Sequence, residues 1–152
     1  MNYKNQLKSF FTEHWKYMAV STACELNIFD ALEKPRSSEE LSDGIGLNNE
    51  KASLLLEALF NNGFVDKEDD KYSLNPLSEY LTEKHPESLK YACMNWSGTH
   101  MSAWQNLSYT IATGKSAFED ESYHFQQPYF DLINGLPAER QFYQKAMNEY
   151  AR

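Results

Sequence analysis

Four histidines, two cysteines and several adjacent carboxylates are the residues of this chain whose types could do chemistry. His14, His85, His100 and His124 are too scattered for a local metal motif, and neither HxxxH nor HExxH occurs, so no metal site is expected. Glu39-Glu40, Asp69-Asp70 and Glu119-Asp120-Glu121 could do acid–base work only if burial raised a pKa. They fall instead in expected caps, turns and loops, where a carboxylate stays solvated and charged. No Ser, His and Asp set is supported by spacing. Cys24 and Cys93 lie in apolar-flanked helical patterns without CxxC spacing, which describes reduced core thiols. The six glycines include neither GxGxxG after a strand nor GxxxxGK, which excludes a recognisable phosphate- or dinucleotide-binding loop. Gly44-Ile45-Gly46 comes nearest, but it follows a helix. The residues alone describe a helical binding or assembly module.

The clearest structural signal is residues 37–75, whose order is helix, tight turn, longer helix and a two-stranded wing. Ser37 with Glu40 three residues on forms a capping box, and Leu41 faces the core. Asp43-Gly44-Ile45-Gly46-Leu47 supplies the turn, and Asn48 is the next N-cap. Ala52, Leu55, Leu56, Leu59 and Phe60 then form one apolar stripe, closed by Gly63 where a left-handed cap is wanted. Residues 64–67 and 71–74, separated by Glu68-Asp69-Asp70, complete a winged helix-turn-helix.

Such a unit commonly meets DNA, but the charge here opposes it. Affinity for DNA comes mainly from Lys and Arg on phosphates, whereas residues 37–90 carry five Lys and no Arg against twelve Asp and Glu, a balance of −7. A nucleic-acid partner is therefore not expected. The whole chain, 152 residues at a net charge of −8, is long enough for one domain. No apolar run is long enough to span a membrane, and residues 1–5 lead into an amphipathic pattern rather than a signal peptide, so a cytoplasmic protein is expected. Asn95-Trp96-Ser97 and Asn106-Leu107-Ser108 match the glycosylation pattern by chance.

Residues 4–26 form a long helix with Leu7, Phe10, Phe11, His14, Trp15, Met18 and Thr22 on one face. The face is bulky, because each aromatic brings roughly 150–250 Å2 of surface. It suits either ordinary packing on the winged helix or packing against another subunit. A short helix, residues 28–33, ends at Pro35. After the wing, Asn75-Pro76 opens a short helix with Leu77, Tyr80 and Leu81 inward. Helices are expected over residues 87–95 and 99–113, the latter with Met101, Trp104, Leu107 or Ser108, and Ile111 along one side and Gly114 at its end. Ala117-Phe118 lies in a loop. Tyr129, Phe130, Leu132 and Ile133 mark a further helix, and Pro137 opens a last one through Tyr143 and Met147.

The ordered set is the amphipathic first helix, Leu26-Asn27-Ile28-Phe29-Asp30-Ala31-Leu32, the winged helix, Trp104 followed by Gly114 and Ala117-Phe118, and Tyr143-Gln144-Lys145-Ala146-Met147. It resembles the N-terminal dimerisation domain of class I S-adenosylmethionine-dependent small-molecule O-methyltransferases over nearly the whole chain. The resemblance implies a mainly α fold, a helical dimerisation domain containing a winged helix-turn-helix with a small two-stranded wing. It implies one domain over 1–152, divided into N-terminal dimerisation helices (1–36), winged helix (37–75) and a helical substrate-side segment (76–152). In that family a Rossmann-like domain follows, which holds S-adenosylmethionine and supplies the base. No cofactor and no catalytic residue are therefore expected in this chain, which would be a truncated piece of an enzyme or a stand-alone relative.

The same resemblance implies a homodimer with Leu7, Phe10, Phe11, Trp15 and Met18 at the interface, and a small aromatic acceptor lined by Met94, Asn95, Trp104, Phe118, Tyr143 and Met147. Apolar and thioether walls with one orienting amide suit such an acceptor. The loop Glu119-Asp120-Glu121-Ser122-Tyr123-His124 departs from the family in being acidic and lacking a glycine. Two other functions fit the residues: an acidic winged-helix regulator that senses a ligand, and an assembly partner of a separate methyltransferase subunit.

Overall fold

The computed structural model describes residues 2–122 and 129–151, without the side chain of Leu132; Tyr123 and His124 lie outside them. Helix α1 (Tyr3–Glu25) leads to a short α2 (Ile28–Ala31), and the winged unit follows as β1 (Arg36–Ser37), α3 (Ser38–Ile45), α4 (Asn49–Asn61), β2 (Asp66–Glu68) and β3 (Lys71–Ser73). A 3-10 turn (Ser78–Leu81) leads to α5 (Lys90–Ser97), α6 (Thr99–Gln105) and α7 (Leu107–Thr113). After a second 3-10 turn (Ala117–Glu119) come α8 (Tyr129–Gly135) and α9 (Pro137–Tyr150).

Local chemistry sets the boundaries of the winged unit. The Ser37 hydroxyl accepts from Glu40 N, the Glu40 carboxylate accepts from Ser37 N, and Asn48 accepts from Lys51 N. At the end of α4, Gly63 takes φ +76. There Gly63 N donates to Phe60 O and Phe64 N to Leu59 O, the paired bonds of a Schellman cap. The core gathers Val20, Ala23 and Cys24 of α1, Ile28 and Phe29 of α2, Leu41, Leu56, Leu59 and the wing's Val65 and Tyr72.

Several expectations change. The sheet has three strands in the order β1-β3-β2, because Arg36 and Ser37 pair antiparallel with Tyr72 and Lys71. Gly44 lies inside α3, and Gly46 alone turns the corner at φ +74. Phe60 is exposed, since a helix turning about 100° per residue carries it to the edge of the stripe led by Ala52. Leu81 is buried, but Leu77 and Tyr80 stay exposed and line a groove of about 680 Å3 with Tyr17, Leu89 and Trp96. Residues 99–113 are two helices broken at Asn106, whose amide donates to Asp120 Oδ2 at 2.9 Å. Ala117 and Phe118 form a buried 3-10 turn, capped by Ser116 and Glu119, rather than a loop.

The bulky face of α1 does not pack on its own winged helix. Val20, Ala23 and Cys24, all small, form the inward face, while Leu7, Phe10, Phe11 and Trp15 are 56–73% exposed and Met18 is 38% exposed. From Tyr3 to Lys16 only Thr12 is even half-covered, so four turns of helix project from the body. A helix of that length without partners is marginal in water.

Candidate functional site

Helix α5 carries the residues that matter most here, and it is fixed from both ends. At its start Lys90, 3% exposed, donates to Asn27 Oδ1 and Asp30 Oδ2, both at 2.6 Å. Asp30 Oδ1 also accepts from Glu83 N at 2.8 Å, so one buried ion pair ties together α2, the segment after the first 3-10 turn, and α5. Asn27 reaches this position in the left-handed conformation at φ 57. Glu149 of α9 accepts from Ala92 N at 2.7 Å, filling one of the free backbone donors in the first turn of α5. Near the other end the Trp96 indole donates to the Tyr150 hydroxyl.

These contacts open a cleft of about 700 Å3 between α1, α5, α8 and α9, a size suited to a small organic ligand. Its walls include Met18, Met94, Ile133, Phe142 and Tyr143. The Ser21 and Ser97 hydroxyls bond each other, and Ser97 donates onward to Met94 O at 2.9 Å. Asn95 also lines the cleft; it is 6% exposed, yet its amide nitrogen has no hydrogen-bond partner among the described residues. A buried donor left unpaired costs about 1–3 kcal/mol, so this one stands out as a group awaiting an acceptor.

On the cleft wall, the Tyr129 hydroxyl and His100 Nε2 share a hydrogen bond of 2.7 Å. Burial holds the His100 imidazole below its usual pKa. Burial first, with Tyr143 and Glu139 adding to it, pushes the Tyr129 phenol up to about 12. On the other side of α1, the Cys24 thiol is pushed up by its bond to Cys93 and by burial, and it stays protonated. The arrangement can bind and orient a ligand. Among the described residues no group of three or more His, Cys, Asp or Glu converges.

Of the six residues expected to line an acceptor, Met94, Asn95 and Tyr143 lie together on the cleft wall. Phe118 sits behind that wall, buried, with its ring 5.2 Å from that of Tyr129. Trp104 is 65% exposed on α6, and half-buried Met147 of α9 does not line the cleft. Sequence reasoning missed Tyr129, Ile133 and Phe142. The aromatic pair Tyr129-Phe130 marked a helix but not the direction of its ring.

The charge on the winged unit is arranged against phosphate. Each of the five lysines between residues 37 and 90, Lys51, Lys67, Lys71, Lys84 and Lys90, has a carboxylate within 4.0 Å. Glu57 of α4 accepts from Lys67 and from the Tyr72 hydroxyl, and those two bonds hold its carboxyl below the usual range.

Among the described residues there is no strand-to-glycine-loop arrangement of the kind that holds a nucleoside cofactor in Rossmann-like folds. The three strands are two or three residues long and antiparallel, and none opens into a glycine-rich loop. Gly46, Gly63 and Gly114 are instead spent on left-handed helix ends.

Comparison with known proteins matches residues 9–84 to the family described as the O-methyltransferase dimerisation domain. A phenazine O-methyltransferase, PhzM of Lysobacter antibioticus, is 24% identical over 148 residues, 96% of this chain and 42% of the relative. The O-methyltransferase SfmM3 of Streptomyces lavendulae is 33% identical over 103 residues, 66% of this chain and 31% of the relative. The fold matches that of human N-acetylserotonin methyltransferase, solved with SAM, at a TM-score of 0.88 and 22% identity, over 99% of this chain and 46% of the other. The chain thus spans less than half the length of these proteins.

Proposed function

This chain belongs to the O-methyltransferase dimerisation-domain family, and from that premise we propose that it is the subunit-pairing and acceptor-side half of an S-adenosylmethionine-dependent O-methyltransferase. In this reading the cofactor site and the catalytic base belong to the enzyme's other half. The observation that carries the reading is the projecting, outward-facing stripe Leu7, Phe10, Phe11, Trp15 and Met18 on α1, which a second copy would cover to form a homodimer. Met18 belongs to that stripe and also to the cleft wall, so pairing of subunits and shaping of the acceptor site are continuous.

In this reading Met94 and Tyr143 wall a small aromatic acceptor and Asn95 donates to one of its oxygens. Phe118 braces Tyr129 from behind. Trp104 and Met147 stand outside the cleft of a single subunit. Nucleic acid is not a partner, because the five lysines between residues 37 and 90 are already paired with carboxylates. Among the described residues no helix is long and apolar enough to cross a membrane, and the enzyme works in the cytoplasm. Calorimetric titration of the chain with S-adenosylmethionine tests the assignment. The expected result is no heat above dilution; a stoichiometric micromolar site would contradict it.

A further inference from the structure

We infer that the cleft selects its acceptor by charge, taking an uncharged or amine-bearing aromatic molecule with a hydrogen-bond-accepting oxygen and disfavouring one that carries a carboxylate. The inference rests on the reading of the cleft as the acceptor site. The first observation is the unpaired amide nitrogen of Asn95, buried in the apolar wall. It calls for an acceptor atom on the ligand, such as a phenolic or carbonyl oxygen.

The second observation is the charge around the opening. Among the described residues lining the cleft, Glu25 and Glu139 are the acidic ones, both exposed, and no Lys, Arg or His joins them. The neighbouring cations are engaged elsewhere. Lys90 is buried on Asp30, Lys145 bonds Glu83 and the Tyr91 hydroxyl, and Arg140 donates to Asn134 O at 2.5 Å. His100 is hydrogen-bonded to Tyr129, and burial disfavours its charged form. A ligand carboxylate would therefore meet two like charges with no cation among the described lining residues, whereas an ammonium at the same place would meet two opposite ones.

Three probes that share one ring system separate the alternatives: 2-naphthol, its 6-aminomethyl derivative and its 6-carboxylate, titrated into the unmodified chain by fluorescence. At low salt the amine should bind about tenfold more tightly than the carboxylate, with naphthol between them. The gap should close as salt rises, because rim charges are screened. Glu139→Gln should narrow the gap between amine and carboxylate. Asn95→Leu, checked for folding by circular dichroism, should weaken all three about tenfold through loss of the shared hydrogen bond. A carboxylate that binds as tightly as the amine at low salt, still weakened by Asn95→Leu, would overturn the charge inference and leave the acceptor site standing. Absence of binding by all three probes, or binding indifferent to Asn95→Leu, would overturn both.

Discussion

Replacing Phe11 and Trp15 together by Asp is expected to convert a dimer into a folded monomer, weakening association by more than about a thousandfold. Both side chains are more than 60% exposed in the single subunit, so their loss removes nothing from its core. Covering several hundred Å2 of this face in a dimer would yield, at about 25 cal/mol per Å2, on the order of 10 kcal/mol gross. That is enough to offset much of the cost of association. An interface of this kind is used twice about its two-fold axis, so each substitution acts twice. Two buried aromatic anchors at about 2 kcal/mol or more each already reach a thousandfold. The anchor of α1 in its own subunit, Val20, Ala23 and Cys24, is untouched. The variant should therefore keep a cooperative unfolding transition while losing some helical signal as the projecting turns fray. Light scattering with circular dichroism checks both halves, and a double variant that remains a dimer would remove α1 from the centre of the assembly.

Lys90→Met is expected to destabilise the chain by about 3 kcal/mol, the low end of the cost of breaking a buried pair, because the Asp30 side chain left behind is 24% exposed. Lys90 is 3% exposed, and it is the only cation bonded to Asp30 among the described residues. Methionine keeps the stem volume, so the loss reports the charge rather than a cavity. For a domain of this size that corresponds to a fall of about 6–12 °C in Tm. Adding Asp30→Asn should recover part of it, because the unpaired charge disappears while an amide oxygen remains to accept from Glu83 N. A Tm within about 2 °C of the original for Lys90→Met would show that the pair does not fix α5.

The parts of the fold that were legible in the sequence are those set by neighbours in the chain. Ser37 with Glu40, Asn48 with Lys51 and Gly63 at the end of α4 each satisfy backbone groups within a few residues, and each does in the structure what its spacing implies. What was not legible depends on distant partners. The two-residue strand at Arg36–Ser37 exists only because β3 lies beside it. Lys90 in sequence is an ordinary surface lysine, and its burial depends on Asn27 and Asp30 meeting it across the fold. The apolar spacing around Trp104 describes a continuous face, but Asn106 spends its amide on Asp120, the helix breaks, and the indole stays outside. The candidate site was not legible from local chemistry. Met94, Asn95 and Tyr143 were named only from the family resemblance, and Tyr129 and Phe142 reach the cleft only through the packing of α8 and α9.

The claim that this chain pairs its subunits is tested most directly by sedimentation equilibrium of the unmodified protein over a micromolar concentration series. The account predicts a mass twice the 17.7 kDa of one chain at tens of micromolar, falling toward a single chain only on strong dilution. A mass of 17.7 kDa throughout the series would contradict it.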